Sequence, residues 1–132
     1  MPLRSVMLTP EPVTYQQVAD AAQAVWKILA AEHRGMAKFR LITVDDGAAL
    51  QVYSAEDLLV TVMRPVTVLH LEEIERLLPQ LPEHELEAPL HWTSAYTPYS
   101  AGGVAGLGVV SKLIDDAPPG VIVHDRLPKL PG

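Results

Sequence analysis

The chain contains no cysteine, which excludes disulfide bonds, thiolate metal sites and a cysteine nucleophile together and leaves the redox compartment undetermined. It is also short of basic charge: ten lysines and arginines against sixteen acids give a formal net charge of −6. That balance argues against nonspecific binding to nucleic acid or to an anionic membrane, because both need a basic surface. No apolar run approaches the roughly 20 residues that span a bilayer. The N-terminal stretch, with prolines at positions 2, 10 and 12, lacks an apolar core of the length a signal peptide requires, so a cytoplasmic location is expected. There is no Gly-x-Ser-x-Gly elbow and no His-Glu-x-x-His pair, and neither a hydrolase nor a zinc protease is supported. No internal repeat or composition shift marks a second domain.

What is present suits one globular domain. With 132 residues, 48% hydrophobic and 20% charged, the chain is long enough to bury a core without a covalent staple. The longest apolar stretch, LLVTVMRPVTVL over 58–69, is rich in β-branched residues that fit a pleated backbone. It reads as an interior strand, with Leu58, Val60 and Val62 on one face and Leu59 and Met63 on the other, both covered. Pro65 has no N–H for a ladder, so the strand must kink, bulge or reach an edge there.

In chain order, residues 1–12 read as an extended, proline-stiffened lead-in. Thr14 and Gln17 form a capping-box pattern at the head of a helix over 14–34, with Val18, Ala21, Ala22, Val25 and Leu29 at helical spacing and Trp26 and Ile28 widening the stripe. Alternating residues over 38–44, then Asp45-Asp46-Gly47 and a second strand over 49–53, predict a hairpin. The link over 54–57 is either a turn or the start of one helical turn, and the strand over 58–69 completes an antiparallel meander. Leu71, Ile74, Leu77 and Leu78 predict a short helix over 71–78. After an irregular, proline-punctuated connection, LHWTSAYT reads as a strand with Leu90, Trp92 and Ser94 on one side and His91, Thr93 and Ala95 on the other. Gly102 and Gly103 then lead into a helix striped by Val104, Leu107, Val110 and Ile114, with Leu113 and Val109 beside the stripe. A last strand over 121–124, reached by a right-handed crossover between parallel neighbours, precedes an extended tail over 126–132. The fold expected is α+β: a two-layer sandwich with a mixed, mostly antiparallel sheet, elements in the order α-β-β-β-α-β-α-β, and the two long helices on one face.

Charge is concentrated. Between 72 and 87 lie six acids (Glu72, Glu73, Glu75, Glu83, Glu85, Glu87) against one base, Arg76, so this segment carries −5 of the net −6. Such a run serves either as a solvated surface or as a recognition face for a basic partner. The glycines 102, 103, 106 and 108 follow a strand and open a helix, where a phosphate could meet free backbone donors, but no P-loop or dinucleotide fingerprint is present. Tight helix packing or a flexible hinge is their alternative role. The five histidines show no tight ligand spacing, so neither a metal nor a cofactor is assigned.

Taken together, these features predict a non-enzymatic protein-binding module, of adaptor, chaperone-like or toxin-neutralising type. Its partner would be a protein with a basic surface, met by Glu72, Glu73, Glu75, Glu83, Glu85 and Glu87 with Tyr96 and Tyr99 as aromatic anchors. The alternative is a small enzyme or ligand-binding domain with a pocket formed by His91, Tyr96, Gly102, Gly103 and Gly106. A homodimer joined through a sheet edge or the glycine-bearing helix fits either.

Overall fold

The computed structural model describes residues 3–32, 35–79, 81, 84, 86–98 and 101–126. One of its interior strands is a segment that sequence reading took for a lead-in. β1 (Leu3–Thr9) pairs antiparallel with two strands at once, β6 (Leu90–Thr97) and β7 (Val121–Arg126), and residues 5–9 are all buried. The prolines that suggested a stiff leader lie outside the strand, and Pro10 stops it directly after Thr9. Ser5 and Thr9, which give the segment a polar look, have local partners. Ser5 Oγ lies 2.8 Å from Nδ1 of His124 across the β1–β7 pair, and Thr9 Oγ1 donates to the Glu11 carbonyl. Two hydroxyls satisfied this way can be buried at little cost.

Helix α1 (Tyr15–Glu32) starts at the expected capping box. The Thr14 N–H donates to Gln17 Oε1 at 2.8 Å, and the Gln17 N–H donates to Thr14 Oγ1 at 3.2 Å. The meander follows as β2 (Phe39–Val44), β3 (Ala49–Ser54) and β4 (Asp57–Met63). The β2–β3 turn carries positive φ at Asp45, Asp46 and Gly47, and the 54–57 link is a tight turn with positive φ at Ala55, not a helical turn. The long apolar run divides at its proline, as expected. β4 and β5 (Val66–Val68) both lie against β6, with Val62 opposite Ala95 and Val66 opposite Trp92. Three residues (Met63, Arg64, Pro65) therefore face two (Thr93, Ser94), which is a bulge of one residue. The Arg64 N–H bonds to the Ala48 carbonyl at 2.9 Å, while Pro65 has no N–H to place.

The sheet runs β2-β3-β4-β6-β1-β7, with β5 also on β6, and every described pairing is antiparallel. This is an α+β fold with the two long helices on one face. The crossover from β6 through α3 (Ala101–Asp115) to β7 joins two strands of the same direction, but they are not neighbours, because β1 lies between them. The opposite face is partly roofed by the short α2 (Leu71–Leu77). Two cores result. One joins Val18, Ala21 and Ala22 of α1 and Val109, Val110 and Leu113 of α3 to Met7, Val52, Val60 and Ala95. The other sets Ile74, Leu78 and Leu86 on Val6, Leu8, Leu90 and Val123.

Helix α3 presents the expected stripe in part: Val110, with Val109 and Leu113 beside it, is buried, but Val104 at its head is not. Val104 is 73% exposed, and the buried face is Ala105, Val109, Val110 and Leu113. Its rotation is set by Gly106, where a Cβ would overlap the Leu59 carbonyl oxygen of β4. Leu59 is the extra residue of a bulge in β4, since Val52 pairs with Val60 and Tyr53 with Leu58. The helix backbone rests directly on that bulge, so Gly106 faces the sheet together with Ala105, Val109, Val110 and Leu113.

Candidate functional site

Strand alternation distributes the anticipated site residues over two faces. On β6, Leu90, Trp92, Ser94 and Tyr96 share the face that α2 roofs, while His91, Thr93, Ala95 and Thr97 turn towards the long helices. His91 and Tyr96 therefore lie on opposite sides of the sheet. Gly102 and Gly103 belong to the first turn of α3 and not to a loop before it. A Cβ on Gly103 would overlap the Pro98 carbonyl, and one on Gly106 would overlap that of Leu59. His91 and Tyr96 are separated by the sheet itself, and Gly103 and Gly106 serve close backbone packing.

Glu72, Glu73 and Glu75 share the outer side of α2. In α2, Ile74 is 1% exposed and pins the helix to the second core. Helical spacing sends Glu72, Glu73 and Glu75 outward, and all three are exposed, as is Glu87 in the following segment. Arg76 donates from Nη2 to Glu73 Oε2 at 2.8 Å, and this hydrogen bond, with the charge behind it, lowers the Glu73 carboxyl below its ordinary pKa. Apolar side chains flank the acids: Leu69 is 66%, Leu77 53% and Val66 60% exposed. Glu83, Glu85 and Tyr99 lie outside the described residues. Tyr96 stands on the same face of the sheet, four residues beyond Trp92 and thus about 13 Å further along β6.

Tyr96 does line a pocket, with partners that sequence reading missed. A cavity of about 360 Å³ lies over the Arg64-Pro65 bulge, walled by Ala48, Met63, Val66, Trp92, Ser94 and Tyr96 and rimmed by Arg64. Val66 connects it to the roofed half of the face, since the next residue on that side of β5, Val68, packs in the α2 core. Arg64 clamps the β2–β3 turn, donating from Nε to the Gly47 carbonyl at 3.2 Å and from Nη2 to the Asp46 carbonyl at 3.3 Å. Trp92 Nε1 donates to Ser94 Oγ at 3.0 Å. The signal for this site was the Arg-Pro interruption in an otherwise apolar strand, which opens the bulge and leaves a cation beside it.

A second concavity, about 460 Å³, runs between α1 and α3 and is lined mainly by Val25, Ile28, Leu29, Val104 and Gly108. Among the described residues no group of three histidines or acids is close enough to hold a metal, and no helix is long and apolar enough to cross a membrane. Comparison with known protein families, with curated proteins and with solved structures finds no match to this chain.

Proposed function

We propose that this protein is a non-enzymatic protein-binding module whose contact surface is the ridge of α2 and β5. The observation that carries the reading is the grouping of Glu72, Glu73 and Glu75 with the exposed Leu69, Leu77 and Val66 on elements anchored from beneath by Ile74 and Val68. Exposed leucines scattered singly need no explanation. Three large apolar side chains beside three acids have the make-up of an interface: apolar anchors for affinity and a charged rim for orientation. A partner that fits is a protein with a basic rim around an apolar centre, approached faster at low salt. A cytoplasmic setting belongs to the same reading.

The test compares capture by the wild-type protein, by the pair Glu72→Lys with Glu75→Lys, and by Leu69→Ser with Leu77→Ser, at low and moderate salt. Glu73 is left in place because it pairs with Arg76. The reading expects a partner held by the wild type and bound at least about tenfold more weakly by each variant, a loss of about 1.4 kcal/mol. Only the charge-reversed interface should lose its salt dependence. Partner binding unchanged in both variants would remove the ridge from consideration. Mass in solution, measured alongside, reports self-association through the free edge of β2.

A further inference from the structure

The cavity over the Arg64-Pro65 bulge brings together concavity, aromatic walls and a cation that pairs with no acid among the described residues. We propose that it is a binding site for a small organic carboxylate with an aromatic or branched aliphatic body.

The apolar part of the ligand is specified by the walls. Trp92 and Tyr96 project from the same face of β6 with Ser94 between them, and Met63 and Val66 flank the bulge on the facing strand, 36% and 60% exposed. The volume, about 360 Å³, falls at the small end of the range for small-molecule sites, roughly 300–1,000 Å³. The charge is specified by Arg64. Its two described hydrogen bonds go to main-chain carbonyls, which orient the guanidinium without neutralising it. The ion pairs among the described residues are Glu73 with Arg76 and Lys112 with Asp116, so neither Asp45 nor Asp46 of the adjacent turn reaches it. The remaining N–H groups of a guanidinium form a fork that matches a carboxylate.

Arg40, on the same face, differs: it donates to the Ala55 carbonyl and stacks over Tyr53 at 5.2 Å, so it is already engaged. Two hydroxyls supplement the cation. Ser94 Oγ accepts from Trp92, which leaves its own proton to donate, and the Tyr96 hydroxyl belongs to the same lining. A bulge that interrupts pairing and re-aims side chains is a recurrent way of building such a site.

The experiment follows backbone amide and indole N–H resonances of the full chain during titration with phenylacetate, hydrocinnamate and isovalerate, each beside its uncharged primary amide. Expected are saturable shifts at Met63, Arg64 and Val66, at Ser94 and Tyr96 and at the Trp92 indole, with at least one acid bound about tenfold or more tightly than its amide. Arg64→Gln should abolish that preference and Arg64→Lys retain part of it. Because Arg64 also clamps a turn, Tyr96→Phe and Ser94→Ala supply a second arm, each removing a donor without touching the turn and each expected to weaken the acid several-fold. The proposal is overturned if no acid gives saturable shifts there, if amides bind as well as acids, or if the shifts fall in the groove between α1 and α3. Charge reversal at Glu72 and Glu75 should leave this binding intact, which separates the site from the ridge of α2.

Discussion

Two glycines of α3, two residues apart, should respond in opposite directions to the same substitution. In an isolated helix, glycine to alanine gains about 1 kcal/mol at either position, because the unfolded chain loses freedom and the helix does not. At Gly106 the new Cβ would overlap the Leu59 carbonyl oxygen and lie 2.8 Å from its carbon and 3.0 Å from Thr97 Cγ2. The first two obstacles are main chain of β4, so no rotamer change relieves them, and α3 must lift from the sheet that anchors Val109, Val110 and Leu113. Overpacking of this kind costs about 1–3 kcal/mol and occasionally more. With obstacles of main chain the upper end applies, and after the helical gain Gly106→Ala should be destabilised by about 2 kcal/mol or more.

At Gly108 the Cβ would meet only Val25 Cγ1 at 3.4 Å and Cγ2 at 3.7 Å, ordinary contact across the groove between α1 and α3. Gly108→Ala should therefore stabilise by about 0.5–1 kcal/mol. At roughly 4 °C per kcal/mol for a domain of this size, the two variants should melt about 10 °C apart on either side of the wild type. Calorimetry or urea unfolding of the three proteins decides the matter. A Gly106→Ala protein as stable as the wild type would mean that α3 does not sit on the β4 bulge. The account of why these glycines are there would then fail.

Four further expectations follow from particular contacts. Thr14→Ala should cost about 1 kcal/mol in urea unfolding, since it removes the side-chain acceptor of the Gln17 N–H at the head of α1. Thr93 is fully buried and its Oγ1 has no hydrogen-bond partner, so the near-isosteric Thr93→Val should stabilise by about 1 kcal/mol; a loss of that size would reveal a partner for the hydroxyl. Ile74→Ala should cost about 2–4 kcal/mol, and amide exchange should show protection lost in α2 and β5 before the helix pair is affected. A carboxyl titration should place Glu73 below its ordinary pKa, and Arg76→Gln should raise it again. Since the folded pKa is the lower one, whatever stability this exposed pair contributes is present above the ordinary carboxylate pKa and is lost as pH falls through the lowered value.

The elements whose signal is local were legible from the chain: the Thr14–Gln17 box and the apolar face of α1, the Asp-Asp-Gly turn, the β2–β3–β4 meander and the break at Pro65. Each depends on neighbours within a few residues, through backbone preference or side-chain periodicity. The acid-bearing side of α2 was legible for the same reason, because one turn of helix places Ile74 inward and Glu72, Glu73 and Glu75 outward. Partnership was not legible. Whether Leu3–Thr9 is a leader or an interior strand depends on β6 and β7, which lie some ninety and one hundred and twenty residues away. Which side of α3 faces the sheet depends on Leu59, whose carbonyl leaves room for a glycine and for nothing larger.

The pocket belongs to this second class. His91, Tyr96 and the α3 glycines are close in sequence, yet the pleat of β6 sends His91 and Tyr96 to opposite faces, and long-range pairing brings Arg64 and Val66 to Tyr96 instead. Composition and periodicity determine which residues prefer helix, strand or turn and which side of each is apolar. Strand register, a long-range hydrogen-bonding choice, determines which of those sides meet, and only the folded sheet makes that choice.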